Sequence, residues 1–176
     1  MPIEHEAKIL DIDPDTMEKQ ILQAGGTKRG QALQRRYVYD ITPGDQSRWI
    51  RLRDTGSATT LTIKEITNDA IDGTRETEVA VSDFEATNAL LGKLGYQPKA
   101  YQENRRVSFH LDGAEVEIDS WPHIPTYVEI EADSKERVMA VASRLGYTEG
   151  DLTGENTTKV YARYGIDLAE ISDLRF

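Results

Sequence analysis

Ionisable side chains recur two residues apart along this chain. Glu4-x-Glu6-x-Lys8, Arg51-x-Arg53, Thr62-x-Lys64, Glu76-x-Glu78, Glu117-x-Asp119 and Glu129-x-Glu131 all show that spacing. In an extended strand, residues two apart point to the same face. The alternate positions are largely apolar: Ile3, Ala7 and Ile9; Ile50 and Leu52; Leu61 and Ile63; Val116 and Ile118; Val128 and Ile130. The pattern describes a sheet with one greasy face and one intensely charged face. Half-solvated strands ordinarily mix Thr, Ser, Gln, Lys and Glu, whereas here the signs segregate by strand. Paired carboxylates can ligate a hard divalent cation such as Mg²⁺, which takes oxygen donors and shares them with substrate phosphates. Arg and Lys can take the remaining phosphate oxygens, Arg in bidentate fashion. A concavity holding both suits phosphoryl chemistry, where positioning and charge neutralisation carry most of the catalysis.

Other conspicuous residues have plainer readings. His5 falls on the face opposite Glu4 and Glu6, so packing or surface exposure suits it better than metal ligation. His110 and His123 have no ligand-like partner spacing. Glu115 suits a watery rim, and Tyr161 and Tyr164 suit aromatic packing near the C-terminus. No cysteine is present, which excludes disulfides, thiolate catalysis and zinc–sulfur sites and fits a reducing compartment.

The elements that must hold these residues are legible from their start and stop signals. Helices are predicted over 14–24, 83–94 and 135–145, with a shorter one over 157–164. Asp13 caps the first, Ser82 and Glu85 form a capping-box pattern for the second, and Ser134 starts the third. Gly25-Gly26, Gly95 and Gly146 end them. Strands are predicted over 2–10, 31–40, 47–54, 58–67, 74–81, 97–111, 114–120 and 126–132. Short turns such as Asp112-Gly113 join neighbouring strands, which implies antiparallel hairpins. The fold class is α+β, dominated by antiparallel sheet.

At 176 residues the chain suits one domain with a real core. It carries 31 acidic against 21 basic residues, a net charge of −10. Bulk nucleic acid is therefore an unsuitable partner, although a small polyanion in a local basic site is not. The N-terminal residues include no apolar signal core, and no apolar run approaches the ~20 residues of a membrane span. A cytoplasmic protein without membrane attachment is expected.

Glu4-x-Glu6-x-Lys8 resembles the ExExK signature of the CYTH superfamily, which includes class IV adenylyl cyclases and thiamine, inorganic and RNA triphosphatases. Further marks follow in the family's order along nearly the whole chain. Arg51-Leu52-Arg53 is similar to its paired strand arginines, Thr62-Ile63-Lys64 to its phosphate-binding lysine, and Glu76-Thr77-Glu78 to its central acidic strand. Glu103-Asn104-Arg105 falls where the family often has Lys-x-Arg, and Glu117-Ile118-Asp119 and Glu129-Ile130-Glu131 resemble its late acidic strands.

The resemblance implies one triphosphate tunnel domain over residues 1–176, a closed antiparallel barrel of about eight strands with helices outside. It implies Mg²⁺ or Mn²⁺ held among Glu4, Glu6, Glu76, Glu78, Asp119, Glu129 and Glu131, and phosphates held by Lys8, Arg51, Arg53, Lys64 and Arg105. Glu76, Glu78 or Asp119 would complete a second metal site or orient the attacking water, and Lys8 would be a base only if neighbouring cations depress its pKa. The partner is a small-molecule triphosphate, and a homodimer remains open. Two departures stand out. Glu103 replaces a family lysine, so Arg106 or Lys99 would have to compensate, and the cyclases' extended HFxGxxExExKxRV opening is missing. Triphosphate hydrolysis is the expected activity; a cyclase making cyclic AMP from ATP and a non-catalytic phosphate-binding module are the alternatives.

Overall fold

Strand alternation builds a closed barrel. In the computed structural model, which describes residues 3–176, β1 (Ile3–Ile9), β2 (Thr27–Asp40), β3 (Arg48–Asp54), β4 (Thr59–Ile66), β5 (Thr74–Val81), β6 (Ala100–Leu111), β7 (Ala114–Ser120) and β8 (Tyr127–Ala132) form one sheet. The order is β2-β3-β4-β5-β1-β8-β7-β6, and β6 pairs back onto β2 to close the ring. Every pairing in the ring is antiparallel. A two-residue strand, β9 (Asp173–Leu174), adds in parallel to the lower part of β6. Closure leaves the ring strands no free edge, and it turns one face of each strand inward.

Four helices lie outside: α1 (Pro14–Gln23), α2 (Phe84–Lys93), α3 (Lys135–Arg144) and α4 (Thr157–Arg163). Each begins at a side-chain cap, and Asp13, Asp83, Ser134 and Asn156 accept from the backbone N–H three residues on. For α2 the cap is Asp83, one residue later than the expected Ser82, with Asp83 Oδ1 accepting from Ala86 N–H at 2.6 Å. No helix among the described residues is long and apolar enough to cross a membrane.

The apolar alternates of the strands meet these helices. Ala7, Ile9, Phe109, Val116, Ile118, Val128 and Ile130 pack with Met17 and Ile21 of α1 and Val138, Val141 and Ala142 of α3. Tyr39, Ile50 and Leu52 pack against Phe84 and Leu91 of α2. A third cluster, Trp121, Tyr127, Val160, Tyr161, Leu168 and Leu174, joins α4 and the C-terminal segment to the barrel. Residue 2, the first of the expected opening strand, lies outside the described residues. β2 starts at Thr27, four residues earlier than expected, because the chain resumes pairing with β6 straight after the Gly25-Gly26 helix stop and absorbs an irregularity between Lys28 and Gly30.

Candidate functional site

Inside the barrel lies a cavity of about 880 Å³, with charged side chains making up about half of its lining residues. Its residues come from the strand positions two apart: Glu4, Glu6 and Lys8 on β1; Arg51 and Arg53 on β3; Lys64 on β4; Glu76 and Glu78 on β5; Glu115 and Glu117 on β7; Glu129 and Glu131 on β8. The ring order sets carboxylate strands side by side. β1 pairs with β8, placing Glu6 opposite Glu131 and Lys8 opposite Glu129, and β7 pairs with β8, placing Glu117 opposite Glu129 and Glu115 opposite Glu131. The guanidinium groups gather on another wall, where β2 runs beside β3 and Arg36 lies opposite Arg53.

On the acidic wall two lysines, Lys8 buried and Lys64 partly so, serve as internal counterions. Lys8 Nζ lies 3.0 Å from Glu129 and 3.6 Å from Glu6, with 2% of the residue exposed. Lys64 Nζ lies 2.5 Å from Glu76 and 3.4 Å from Glu4. Two cations do not neutralise this many carboxylates, and the excess shows in their protonation. Burial and the contact with Glu76 push Glu4 well above the carboxylate range, despite Lys64. Burial also pushes Glu76 up, but Lys64 and Arg51 outweigh it and hold Glu76 low, so one proton resides on the Glu4 side of the pair. Glu131 is pushed up to about 7 by burial, with Glu129 and Glu6 adding to it. Its side chain opens onto the cavity, and water there screens part of this effect. Glu4 Oε2 is buried with no hydrogen-bond partner. Among the described residues no three acidic groups already converge on a single point; the lysines stand between them.

The opposite wall is overloaded with positive charge. Arg51 Nη2 reaches Glu76 at 3.3 Å and Glu78 at 3.4 Å, and Glu78 also accepts from Thr62 Oγ1 at 2.6 Å. Arg53 Nη2 lies 3.7 Å from Glu78. The neighbouring Arg51 charge, with burial and Arg106, pulls the Arg53 guanidinium down to about 10. Burial drives Arg36 well below the usual arginine range, and Arg51, Arg53 and Arg106 drive it further. Arg51, Arg53 and Arg36 each leave a buried Nε without a partner. One wall thus lacks a cation and the other lacks an anion.

Several expected site residues stand elsewhere or in other states. Arg105 faces outward and is exposed, its guanidinium 3.9 Å from the Phe176 ring centre. Glu103 also faces outward, where Tyr101 Oη donates to it at 2.9 Å. The inward pair on β6 is Asn104 and Arg106, one residue out of step with Glu103-x-Arg105, so Arg106 takes the interior place; Lys99 pairs with Asp40 and is more exposed. Asp119 has no exposed surface: Arg106 grips it through Nε at 2.8 Å and Nη2 at 2.6 Å, and Asn104 Nδ2 donates at 3.0 Å. That grip keeps it from reaching an ion or water in the cavity. Lys8 lacks the cationic neighbours on which a role as base depended. Burial works to lower its pKa, but Glu129 and Glu6 outweigh burial and raise it, so its neighbours are anions and not the cations that role needed. Arg36 was missed. The signal was its two-residue spacing from Val38 and Asp40, opposite the bulky Tyr37 and Tyr39, but the adjacent Arg35 blurred the parity.

The CYTH domain profile matches residues 2–151. This chain belongs to the CYTH family. Several solved structures share its fold. The PH1012 protein from Pyrococcus horikoshii OT3 aligns at TM-score 0.75 and 22% identity, over 88% of this chain and 96% of its own. A conserved hypothetical protein from Pyrococcus furiosus gives 0.74 and 23%, over 88% and 97%. An adenylyl cyclase candidate from Hippeastrum, described as having a dominant triphosphatase activity, gives 0.63 and 15%, over 94% and 96%. No curated protein matches the sequence. CYTH proteins bind triphosphates, are typically metal-dependent, and include triphosphatases and adenylate cyclase candidates.

Proposed function

We propose that this CYTH chain, as a single domain over residues 1–176, hydrolyses a small-molecule triphosphate in its barrel with Mg²⁺ or Mn²⁺. The observation that carries this reading is the separation of charge: unsatisfied carboxylates on the β1–β8 wall and unsatisfied guanidinium groups on the β2–β3 wall of one cavity. A metal-bound polyphosphate supplies both missing charges.

The acidic donor set fits a hard divalent ion. Glu4, Glu6, Glu129 and Glu131 offer only oxygen ligands, and the buried Glu4 Oε2 makes no hydrogen bond, its charge partner Lys64 Nζ lying 3.4 Å away. Glu76 stands beside them and would assist. The ion, when bound, draws charge from the phosphate oxygens as a Lewis acid. Arg51, Arg53 and Lys64 hold the phosphates in this reading, and Lys8 keeps Glu6 and Glu129 in place.

Glu78 is the carboxylate suited to orient water. Its side chain is 36% exposed, and it sits beside Arg51 and Arg53. The water oxygen attacks the terminal phosphorus, the bond to the bridging oxygen breaks, and orthophosphate and a diphosphate leave with one proton released. A cytoplasmic setting agrees with the absence of cysteine.

The test incubates purified protein with tripolyphosphate, ATP and thiamine triphosphate, with Mg²⁺ or Mn²⁺, and with Glu4→Gln as control. Orthophosphate release that needs the metal and collapses in the variant is expected. Cyclic AMP with pyrophosphate would replace hydrolysis by cyclisation, and metal-dependent binding without turnover would leave a binding module.

A further inference from the structure

Among the described residues Arg36 is an interior arginine that no carboxylate pairs. It is 7% exposed, it lines the cavity, and its strand position lies directly across from Arg53. Like charges opposed across a strand pair repel. Asp119, the buried carboxylate on this side, is gripped by Arg106. Among the described residues Arg36 enters no ion pair; it donates to Asn104 Oδ1 and lies over the Trp121 ring, 4.7 Å from its centre. Its Nε has no acceptor, and neither have the Nε atoms of Arg51 and Arg53 or the buried Nε1 of Trp121. Packing alone does not explain a buried cation facing other cations, since an apolar side chain of equal length would fill the same space without repulsion.

We propose that Arg36 is a phosphate ligand of this site, forming with Arg51 and Arg53 a three-guanidinium cradle on the β2–β3 wall. This rests on the triphosphate reading and narrows it. Converging guanidinium forks match the several oxygens and double charge of a chain's terminal phosphoryl group better than a singly charged internal phosphate. The cradle therefore selects linear triphosphates with a free end. Against Arg36 as a packing residue, the proposal makes an opposite prediction for stability. Removing a packing residue destabilises the protein, whereas removing a preorganised cation from a repulsive cluster does not.

The experiment measures thermal midpoints and calorimetric affinities in EDTA, with linear tripolyphosphate and cyclic trimetaphosphate as probes. The proteins are wild type, Arg36→Met and Arg51→Gln. For Arg36→Met we expect a ligand-free midpoint near that of wild type, relief of repulsion from Arg51 and Arg53 offsetting the donor lost to buried Asn104 Oδ1. Its tripolyphosphate affinity should fall about 10- to 100-fold, with trimetaphosphate affinity nearly unchanged. Wild-type affinity in Arg36→Met, alongside lost affinity in Arg51→Gln, would overturn the proposal and leave the triphosphate reading standing. Absence of tripolyphosphate binding in wild type both in EDTA and with Mg²⁺ restored would reject that reading and the proposal together. If Arg36→Met does not fold, Arg36→Lys keeps the charge without the fork: weaker tripolyphosphate binding supports the cradle, and unchanged binding overturns it.

Discussion

Titrating the metal-free protein with Mg²⁺ should release protons, because burial, with help from neighbouring carboxylates, holds Glu4 and Glu131 partly protonated. The Glu4–Glu76 pair retains one proton at neutral pH: burial and Glu76 push Glu4 up while Lys64 and Arg51 hold Glu76 low. Glu131, pushed up to about 7, adds a second and pH-dependent contribution. A group titrating at about 7 is about one-quarter protonated at pH 7.5 and about nine-tenths protonated at pH 6. Ligation requires the ionised forms, so binding should release about one proton per ion at pH 7.5 and more, up to about two, at pH 6. Calorimetry in buffers of differing ionisation enthalpy reads this number as the slope of apparent against buffer enthalpy. Glu131→Gln should remove the difference between the two pH values and leave about one proton. A zero slope at both pH values would show that the ion displaces neither proton, and the acidic wall would not be its site.

Three further outcomes follow from the same geometry. Arg51→Gln removes the donor that reaches Glu76 and Glu78, and triphosphate turnover, followed as orthophosphate release, should fall about 10²–10³-fold. Asp119→Asn weakens the grip of Arg106 on the fully buried Asp119, while Arg106 keeps Glu129, and should cost about 1–3 kcal/mol in urea unfolding, whereas Arg105→Ala on the outer face should leave turnover unchanged within about twofold. In EDTA the urea midpoint should fall as pH rises from about 4.5 to about 7. Glu131 binds its proton more tightly folded than unfolded, so its stabilisation is complete below the unfolded value and lost as pH passes its folded one. Glu131→Gln should lessen that fall, the Glu4 proton supplying the remainder, and a midpoint that rises across the window would contradict the protonation argued for the acidic wall.

The sequence by itself determined the two faces of nearly every strand, because alternation is a local property of extended backbone. Ile50 and Leu52 against Arg51 and Arg53, or Val128 and Ile130 against Glu129 and Glu131, needed no tertiary information. Helix limits were equally local: Asp13, Ser134 and the glycines after α1 and α3 mark them within a residue or so. Resemblance to the CYTH pattern then supplied closure into a barrel. Where both alternate sets in a strand mix polar with apolar groups, parity was ambiguous. Glu103-x-Arg105 and Asn104-x-Arg106 on β6 were nearly equivalent choices, and a shift of one residue exchanges inside for outside. The register β6 adopts against β2 and β7 settled it, placing Arg106 opposite Asp119 and leaving Arg105 to Phe176.

Only the tertiary structure decided which charges meet. Lys8 lies far from Glu129 in sequence, and Arg36 from Arg53, yet the ring order β5-β1-β8 and the β2–β3 hairpin bring each pair together. That order made Lys8 a counterion, withdrew Asp119 from the cavity and added Arg36 to the cationic wall. Electrostatic state depends on distance and burial, and no spacing along a single strand encodes those.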